Sequence, residues 1–219
     1  MSSDIQLESP RQYRPAGGSV IEMHAHSSDK SLDSGVSVEK LVEQAAARGL
    51  DGICLTEHNA LWPEEDTRRL SEIFEINVLP AIELGTNFGH ILAYGFSRYR
   101  PQLLMMDHLI KSAEEEGVAL IVAHPMRSTG TARRPSSEEI QRWFTGIEAV
   151  NGDHSDSDDG YYVRLAQELG VVAIGGSDAH SVQAVGRAAT IFPTEIKTIS
   201  DLVFALQQRT ASPLDLRIS

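Results

Sequence analysis

The chain has 219 residues, of which 41% are hydrophobic and 23% are charged, a composition typical of a globular protein with one sizeable core. Its net charge of −12 would repel a phosphate backbone, which excludes a general nucleic-acid coat protein. With one cysteine, Cys54, it can form neither a disulfide framework nor a zinc site built from cysteines.

The amino-terminal segment is polar and is interrupted by two prolines and two glycines, which predicts a flexible arm over residues 1–18. It contains no apolar run typical of a signal peptide, and no segment approaches the ~18 apolar residues of a transmembrane helix. We therefore expect a cytoplasmic protein with a single domain over residues 19–219.

From residue 19 onward, short β-branched segments alternate with longer segments that carry apolar residues at helical spacing, a pattern typical of an α/β fold. The predicted elements, in chain order, are a strand at 19–26, a helix at 37–49, a strand at 52–58, a helix at 63–75, strands at 77–84 and 90–96, a helix at 103–117, a strand at 118–124, a helix at 135–144, a strand at 146–150, a helix at 161–170, strands at 171–178 and 188–192, and a helix at 200–209. Seven or eight mostly parallel strands in a chain of this length favour a distorted (β/α)7 barrel.

The third and fourth predicted strands are expected to run antiparallel. Only six residues separate Glu83 from His90, whereas a parallel crossover needs at least about ten. In a hairpin the end of one strand lies beside the start of the next, so both side chains are expected at the same rim of the sheet.

Six of the eight histidines lie at predicted strand tips, and three carboxylates accompany them. In a β/α barrel the carboxyl ends of the strands converge on the reaction centre, so these side chains are expected to form one metal site. Nine ligands exceed the four of one tetrahedral zinc ion, which indicates two or three divalent ions (zinc, manganese or iron) with a bridging carboxylate. The predicted ligands are His24, His26, Asp33, His58, Glu83, His90, His124, Asp178 and His180.

The same segments resemble the successive motifs of the PHP (polymerase and histidinol phosphatase) superfamily. They read HAHSSD with SLDSG, GLDGICLTEHN, AIELG, GHILAYG, VAHP and GGSDAH, in that order between residues 21 and 192. The resemblance implies a distorted (β/α)7 barrel of the PHP type. It also implies a trinuclear metal centre at the carboxyl-terminal rim of the strands and the hydrolysis of phosphoesters.

The resemblance divides the ligands among three ions, one held by His24, His26, Glu83 and Asp178, a second by Glu83, His90 and His124, and a third by Asp33, His58 and His180. Glu83 would therefore bridge two ions. In the first loop either Asp29 or Asp33 could supply the carboxylate. Asp33 is preferred because it lies four residues before the start of the next predicted helix, as in the family pattern.

We predict hydrolysis of a small or terminal phosphate ester by a metal-activated hydroxide. The predicted catalytic residues are Glu83, Asp178 and His180, which would hold ions, and Arg127, whose guanidinium could clamp a phosphate. Arg187 is a second candidate for that clamp. The expected partner is a small phosphorylated substrate, without a membrane and without long nucleic acid.

Two other classes of function are open from the sequence. A related metal hydrolase could cleave a non-phosphate ester or an amide, but the lack of a lysine near a predicted strand tip and the presence of Arg127 argue against it. A non-catalytic metal-binding regulatory module is the other class. Retention of all nine ligand positions argues against that module.

One segment has a biased composition. Residues 151–160 are rich in aspartate, serine and glycine, which predicts a loop. His154 lies within it and could cover the site, but a solvated loop is the favoured interpretation.

Overall fold

The structure of the protein is a computed structural model that describes residues 9–125, 127, 132–154 and 156–217. The strands are β1 (Ser19–Ala25), β2 (Gly52–His58), β3 (Asn77–Thr86), β4 (Gly89–Tyr94), β5 (Ala119–Val122), β6 (Gly146–Asn151), β7 (Val172–Gly176), β8 (Ala188–Phe192) and β9 (Ser212–Asp215). The helices are α1 (Val38–Arg48), α2 (Glu64–Phe74), α3 (Met106–Glu116), α4 (Ser137–Trp143), α5 (Asp156–Leu169) and α6 (Ile199–Gln207). Among the described residues, no helix is long and apolar enough to cross a bilayer.

All nine strands belong to one sheet, in the order β7-β6-β5-β4-β3-β2-β1-β8-β9. Pairing is parallel from β1 to β3 and from β5 to β7. β4 and β8 are each antiparallel to both of their neighbours. The sheet curves until Ala25, at the end of β1, forms a bridge with Ala179, just after β7. The predicted distorted barrel is therefore confirmed as a nearly closed α/β barrel.

β3 and β4 form the predicted antiparallel hairpin, with Gly85 opposite His90. The pairing extends beyond the predicted strand ends, to Thr86 and Gly89, so that two residues form the turn. Gly89 has a φ of 89°, a left-handed conformation that glycine adopts without a steric penalty. The start of β4 therefore lies at the rim that the carboxyl ends of the parallel strands form.

The last two strands differ from the predicted, mostly parallel barrel. Only eleven residues lie between β7 and β8, and they form one short 3-10 turn, Val182–Ala184. Without a crossover helix, β8 returns antiparallel to β1. β9 was not predicted. It is a four-residue edge strand that contains Pro213, a position where a missing backbone donor is tolerated.

Local sequence explains how the helices begin. Ser136 accepts a hydrogen bond from the backbone N–H of Glu139, and the Glu139 side chain accepts one from the backbone N–H of Ser136. These two reciprocal hydrogen bonds form a capping box at the start of α4. α5 starts five residues before its predicted start, inside the segment that was predicted as a loop.

A cluster of apolar side chains fills the space inside the curved sheet. It joins Ile21 of β1, Leu92 of β4 and Ile174 of β7. These strands are separated in the sheet order, so their side chains meet only because the sheet curves around them. Leu202 and Leu206 of α6 belong to the same cluster. α6 lies toward the end opposite the carboxyl-terminal rim, since Gln207 donates to the carbonyl of Gly117 just before β5.

Part of the predicted amino-terminal arm lies among the described residues. Pro10–Tyr13 form a 3-10 helix, and Nη1 of Arg14 is 2.5 Å from Oδ1 of Asp51. Residues 1–8 lie outside the described residues. The flexibility of the arm stays a prediction.

Candidate metal centre

Glu83 is fully buried near the carboxyl end of β3, and among the described residues five imidazoles lie within 3.5 Å of its carboxylate, three of them at 2.8 Å. Its Oε1 is 2.8 Å from Nδ1 of His90 and 2.8 Å from Nε2 of His124. Its Oε2 is 2.8 Å from Nδ1 of His58. One carboxylate thus contacts side chains from β2, β4 and the segment after β5, which is the position that a bridging ligand requires.

Asp178 follows β7 and faces the histidines at the end of β1. Its Oδ1 is 3.4 Å from Nε2 of His24, 3.2 Å from Nε2 of His26 and 3.7 Å from Nδ1 of His180. Asp178 has a φ of 52° and His124 a φ of 23°. Such conformations cost free energy in residues that carry a side chain, and they concentrate at functional sites.

The first loop holds the two aspartates between which the sequence left a choice. Oδ2 of Asp33 is 2.9 Å from Nε2 of His58 and 3.4 Å from Nε2 of His180. Oδ2 of Asp29 instead accepts a hydrogen bond of 2.8 Å from the backbone N–H of Val38, at the start of α1. Asp33 therefore lies at the site, and Asp29 caps a helix.

Alanine substitutions at these two aspartates are expected to have separate effects. Asp33→Ala should lower the metal content of the protein, because it removes an oxygen beside His58 and His180. Asp29→Ala should retain the metal content and lower the free energy of unfolding by about 0.5–2 kcal/mol, as the loss of a helix cap does. Elemental analysis and urea denaturation measure the two quantities. A larger loss of metal in Asp29→Ala would assign the ligand to Asp29.

Among the residues that the structure describes, four sets of three side chains each bring their ligand atoms within 4.8 Å of one another. The sets are His24, His26 and Asp178; His24, Glu83 and His124; His58, Glu83 and His90; and His26, His58 and His180. They share members, as expected for neighbouring ions, but they do not coincide with the three predicted ligand groups. The division of the ligands among ions stays a prediction.

Two buried nitrogen atoms test whether these residues fit metal ions. Nε2 of His24 and Nε2 of His26 are buried, and neither has a hydrogen-bond partner among the described residues. An unpaired polar atom in the interior costs about 1–3 kcal/mol. A divalent ion would accept the lone pairs of both nitrogens, and imidazole with carboxylate suits zinc, manganese or iron. The residues therefore fit the expected ions.

The two buried carboxylates are held in their ionised form. Burial alone would raise the pKa of Glu83, but the charge of His24 and hydrogen bonds from nearby imidazoles hold that pKa well below its usual value. Burial likewise opposes ionisation of Asp178, and the charges of His24 and His26 hold its pKa well below the usual value. In the metal-free site both carboxylates are therefore negatively charged and lie beside charged imidazoles.

Glu148 of β6 supports the predicted ligands and was missed in the sequence. Its Oε1 is 2.8 Å from Nδ1 of His24, while its Oε2 accepts hydrogen bonds from the backbone N–H of His124 at 2.7 Å and from Nδ2 of Asn151 at 2.9 Å. With Nδ1 of His24 engaged, its Nε2 is the atom turned toward Glu83 and Asp178. Such outer partners fix the tautomer and the orientation of a metal-binding histidine.

Two other buried carboxylates order the loops around the site. Glu22 accepts hydrogen bonds from the backbone N–H groups of His24, Ser177 and Gly186. Glu57 accepts hydrogen bonds from Ser27, Ser31 and Trp62. One feature of the sequence could have revealed these carboxylates: each is an acidic residue inside an otherwise apolar strand. A charge buried in such a strand requires polar partners.

Arg127 and His154 lie beside the ligands. Nη1 of Arg127 is 2.7 Å from Oδ2 of Asp178, and Nη2 is 3.1 Å from Oδ2 of Asp153. The ring of His154 is half-buried, and its centroid is 6.3 Å from that of His124. His154 is therefore not fully solvated, and its backbone N–H donates to the carbonyl of Asn151; whether this segment covers the site stays a prediction.

Arg187, the second candidate for the clamp, is exposed. Its Cβ lies close to Gly152, where it leaves no room for a larger residue. The polar contacts described above therefore favour Arg127 over Arg187 as the arginine of this site.

Family models match most of the chain. A model described as the PHP domain matches residues 22–153, more than half of the sequence. A second model, described as PHP-associated, matches residues 163–211. Both matches agree with the motif resemblance seen in the sequence.

Individual proteins are similar over much of the chain. The uncharacterized protein MJ1587 of Methanocaldococcus jannaschii is 24% identical over 127 residues, which are 58% of this chain and 73% of that protein. The structure of PsfC from Pseudomonas syringae PB-5123 is 20% identical, with a TM-score of 0.69 over 91% of this chain and 92% of that one. A two-domain protein from Bacteroides vulgatus, described as containing a predicted PHP-like metal-dependent phosphoesterase, is 19% identical, with a TM-score of 0.69 over 99% of this chain and 70% of that one. At sequence identities of 20% and 19%, the structural similarity shows a shared fold and nothing further.

Proposed function

Because the chain belongs to the PHP domain family, we propose that it is a metal-dependent phosphoesterase that hydrolyses a small or terminal phosphate ester. The observation that carries the proposal is the convergence of six imidazoles and three carboxylates on one rim. Within that cluster, Nε2 of His24 and Nε2 of His26 are buried and unpartnered. Such a cluster would be costly to fold unless it held cations.

The nine predicted ligands would hold two or three divalent ions. When bound, these ions would activate water and neutralise the phosphoryl oxygens. Glu83 and Asp178 supply negative charge at the centre of the site, since both carboxylates are kept ionised. Oε1 of Glu148 accepts a hydrogen bond from Nδ1 of His24, so that His24 in its neutral form would offer the lone pair of Nε2 to an ion. Nδ1 of His180 donates to the backbone carbonyl of Asp178 in the same way.

Arg127 would bind a phosphate oxygen that the ions do not hold. Its guanidinium is about one-third exposed and lies at the edge of the site. Burial alone would lower its pKa, but the charge of Asp178 raises it above the usual value, so the side chain stays charged. A planar guanidinium offers two parallel donors to phosphate, which an ammonium does not.

Charge supports a small anionic substrate. Two or three divalent ions would outweigh the three ligand carboxylates, so the site would attract an anion. The surrounding protein, with its net charge of −12, would repel a long polyanion. We also propose a cytoplasmic location, which the single, buried and unpaired cysteine supports.

Metal analysis and a substrate panel test this function together. Protein purified without chelator is expected to hold two to three metal equivalents and to hydrolyse phosphomonoesters, and a chelator should abolish the activity. Control substrates are carboxylic esters, lactones and amides. Less than one equivalent after reconstitution with Zn²⁺, Mn²⁺ and Fe²⁺ would overturn the proposal, and activity confined to the control substrates would favour the other hydrolase class.

A further inference from the structure

A cavity of about 340 Å³ opens beside the proposed metal centre. It shares His90, His124 and Arg127 with the site described above. The rest of its wall comes from the turn of the β3–β4 hairpin, from the end of β5 and the residues after it, from the residues that precede and begin α4, and from α5. A group attached to a phosphate at the metal centre can therefore extend into this cavity without crossing another element.

The cavity wall carries aromatic and aliphatic side chains. Phe88, Ile140, Tyr162 and Leu165 line it together with Tyr161. Tyr161 is 54% exposed, although it is a large ring next to the buried Tyr162, at a centroid distance of 5.0 Å. The hydrophobic core does not account for this exposed ring, which lies where a ligand would meet it.

The charged side chains that line the cavity are arginines. Arg127, Arg133 and Arg134 line the cavity, and the described lining residues include no aspartate or glutamate. The chain as a whole has a net charge of −12, and the carboxylates that pair with Arg127 (Asp153 and Asp178) and with Arg133 (Glu139) lie outside the lining. The guanidinium of Arg133 lies 3.8 Å from the centroid of the Phe88 ring, and Glu139 holds it in place. A cationic group in the cavity would meet guanidinium groups and no lining carboxylate.

We propose that this cavity binds the alcohol portion of the phosphate ester and selects a neutral or anionic aromatic ring there. This inference rests on the proposed phosphoesterase function and adds a substrate class to it. Ring edges and faces of tyrosine and the planes of guanidinium groups interact favourably with an aromatic ring beyond simple burial of apolar surface. A saturated ring of similar size gains only the burial, and an amine is repelled.

Alkyl phosphate esters separate this preference from chemical reactivity. The phenylethyl, cyclohexylethyl and plain ethyl alcohols are leaving groups of similar basicity, and the ammonium of ethanolamine makes that alcohol the better leaving group, which works against the expected result. We expect the kcat/KM for 2-phenylethyl phosphate to exceed that for 2-cyclohexylethyl phosphate, and both to exceed that for ethyl phosphate. We also expect propyl phosphate to be a better substrate than O-phosphoethanolamine, which differs from it by an ammonium in place of a methyl group. Equal values for the two ring substrates, or a preference for the amine, would overturn the inference.

Variants at Tyr161 test the wall itself. In Tyr161→Ala the ratio of kcat/KM between 2-phenylethyl and ethyl phosphate should fall about three- to tenfold, whereas Tyr161→Phe should retain the ratio. The matched control is Phe204→Ala, because Phe204 is an exposed ring on α6 that does not line the cavity. An unchanged ratio in Tyr161→Ala would exclude this wall from substrate selection.

Binding without turnover separates failure of this inference from failure of the proposed function. The probe is 2-phenylethylphosphonate, which cannot be hydrolysed, with ethylphosphonate as its reference, and calorimetry measures both affinities. If no phosphoester is hydrolysed but the aryl probe binds more tightly and Tyr161→Ala removes the difference, the phosphoesterase proposal fails and the aromatic preference stands. If phosphoesters are hydrolysed and the two probes bind equally, the aromatic preference fails alone.

Discussion

Replacing Glu83 with glutamine is expected to remove more than one metal equivalent and to lower phosphoesterase activity by more than about a hundredfold. Loss of an outer partner of a metal ligand costs about 10- to 100-fold, and Glu83 contacts three predicted ligands directly. Its two oxygens reach His58, His90 and His124 at 2.8 Å each. An amide removes the negative charge and places a hydrogen-bond donor where an imidazole or an ion needs an acceptor.

Metal content, kcat/KM and the unfolding temperature are measured on the same preparation of Glu83→Gln. The matched control is Glu114→Gln, since Glu114 is exposed on α3 and should retain all three quantities. A folded Glu83→Gln variant with the metal content and rate of the unaltered protein would contradict the bridging position of Glu83. A variant that loses metal but retains the rate would contradict metal dependence.

Much of the site could be predicted because strand direction fixes where side chains meet. The alternation of elements predicts parallel strands, and their carboxyl ends collect His24, His58 and Asp178 at one rim. The short connection after β3 predicts a hairpin, and this brings His90 to the same rim, where it contacts Glu83. These predictions rest on the order of the elements and the length of the loops, both of which are read directly from the sequence.

The missed carboxylates depend on contacts that the sequence does not encode locally. Glu148 lies 124 positions from His24 along the chain, and Glu22 lies 155 positions from Ser177. Whether a strand glutamate faces solvent, core or a ligand depends on the register and curvature of the closed barrel. The residue pattern of a single strand gives neither its register in the sheet nor the curvature of that sheet.

The start of α1 illustrates the same limit. Ser37 directly precedes the helix and is of a residue type favoured at helix caps, but its side chain makes no capping hydrogen bond. Asp29, nine residues before Val38, accepts the bond instead because the first loop folds back over the helix. The conformation of this loop therefore gives the two aspartates different roles. Asp29 caps the helix, and Asp33 lies beside His58.

Arg127→Ala is expected to lower kcat/KM for phosphomonoesters by about tenfold to hundredfold, because a charge-assisted hydrogen bond contributes roughly 1.5–3 kcal/mol. Its guanidinium is anchored by Asp178 and Asp153 at the edge of the site. Inhibition by inorganic phosphate should weaken together with kcat/KM, since both depend on the same phosphate oxygen. Arg127→Lys should restore part of the loss, because an ammonium supplies the charge without the fork.

The contact between Arg127 and Asp178 offers a competing explanation that metal analysis separates. If the guanidinium only orients Oδ2 of Asp178, Arg127→Ala loses metal, and excess metal restores its rate. If it binds phosphate, the metal content is retained and excess metal restores nothing. Arg68→Ala is the control, since Arg68 is an exposed arginine paired with a carboxylate on α2. Retained metal with kcat/KM and phosphate inhibition both within twofold of the unaltered protein would remove Arg127 from substrate binding.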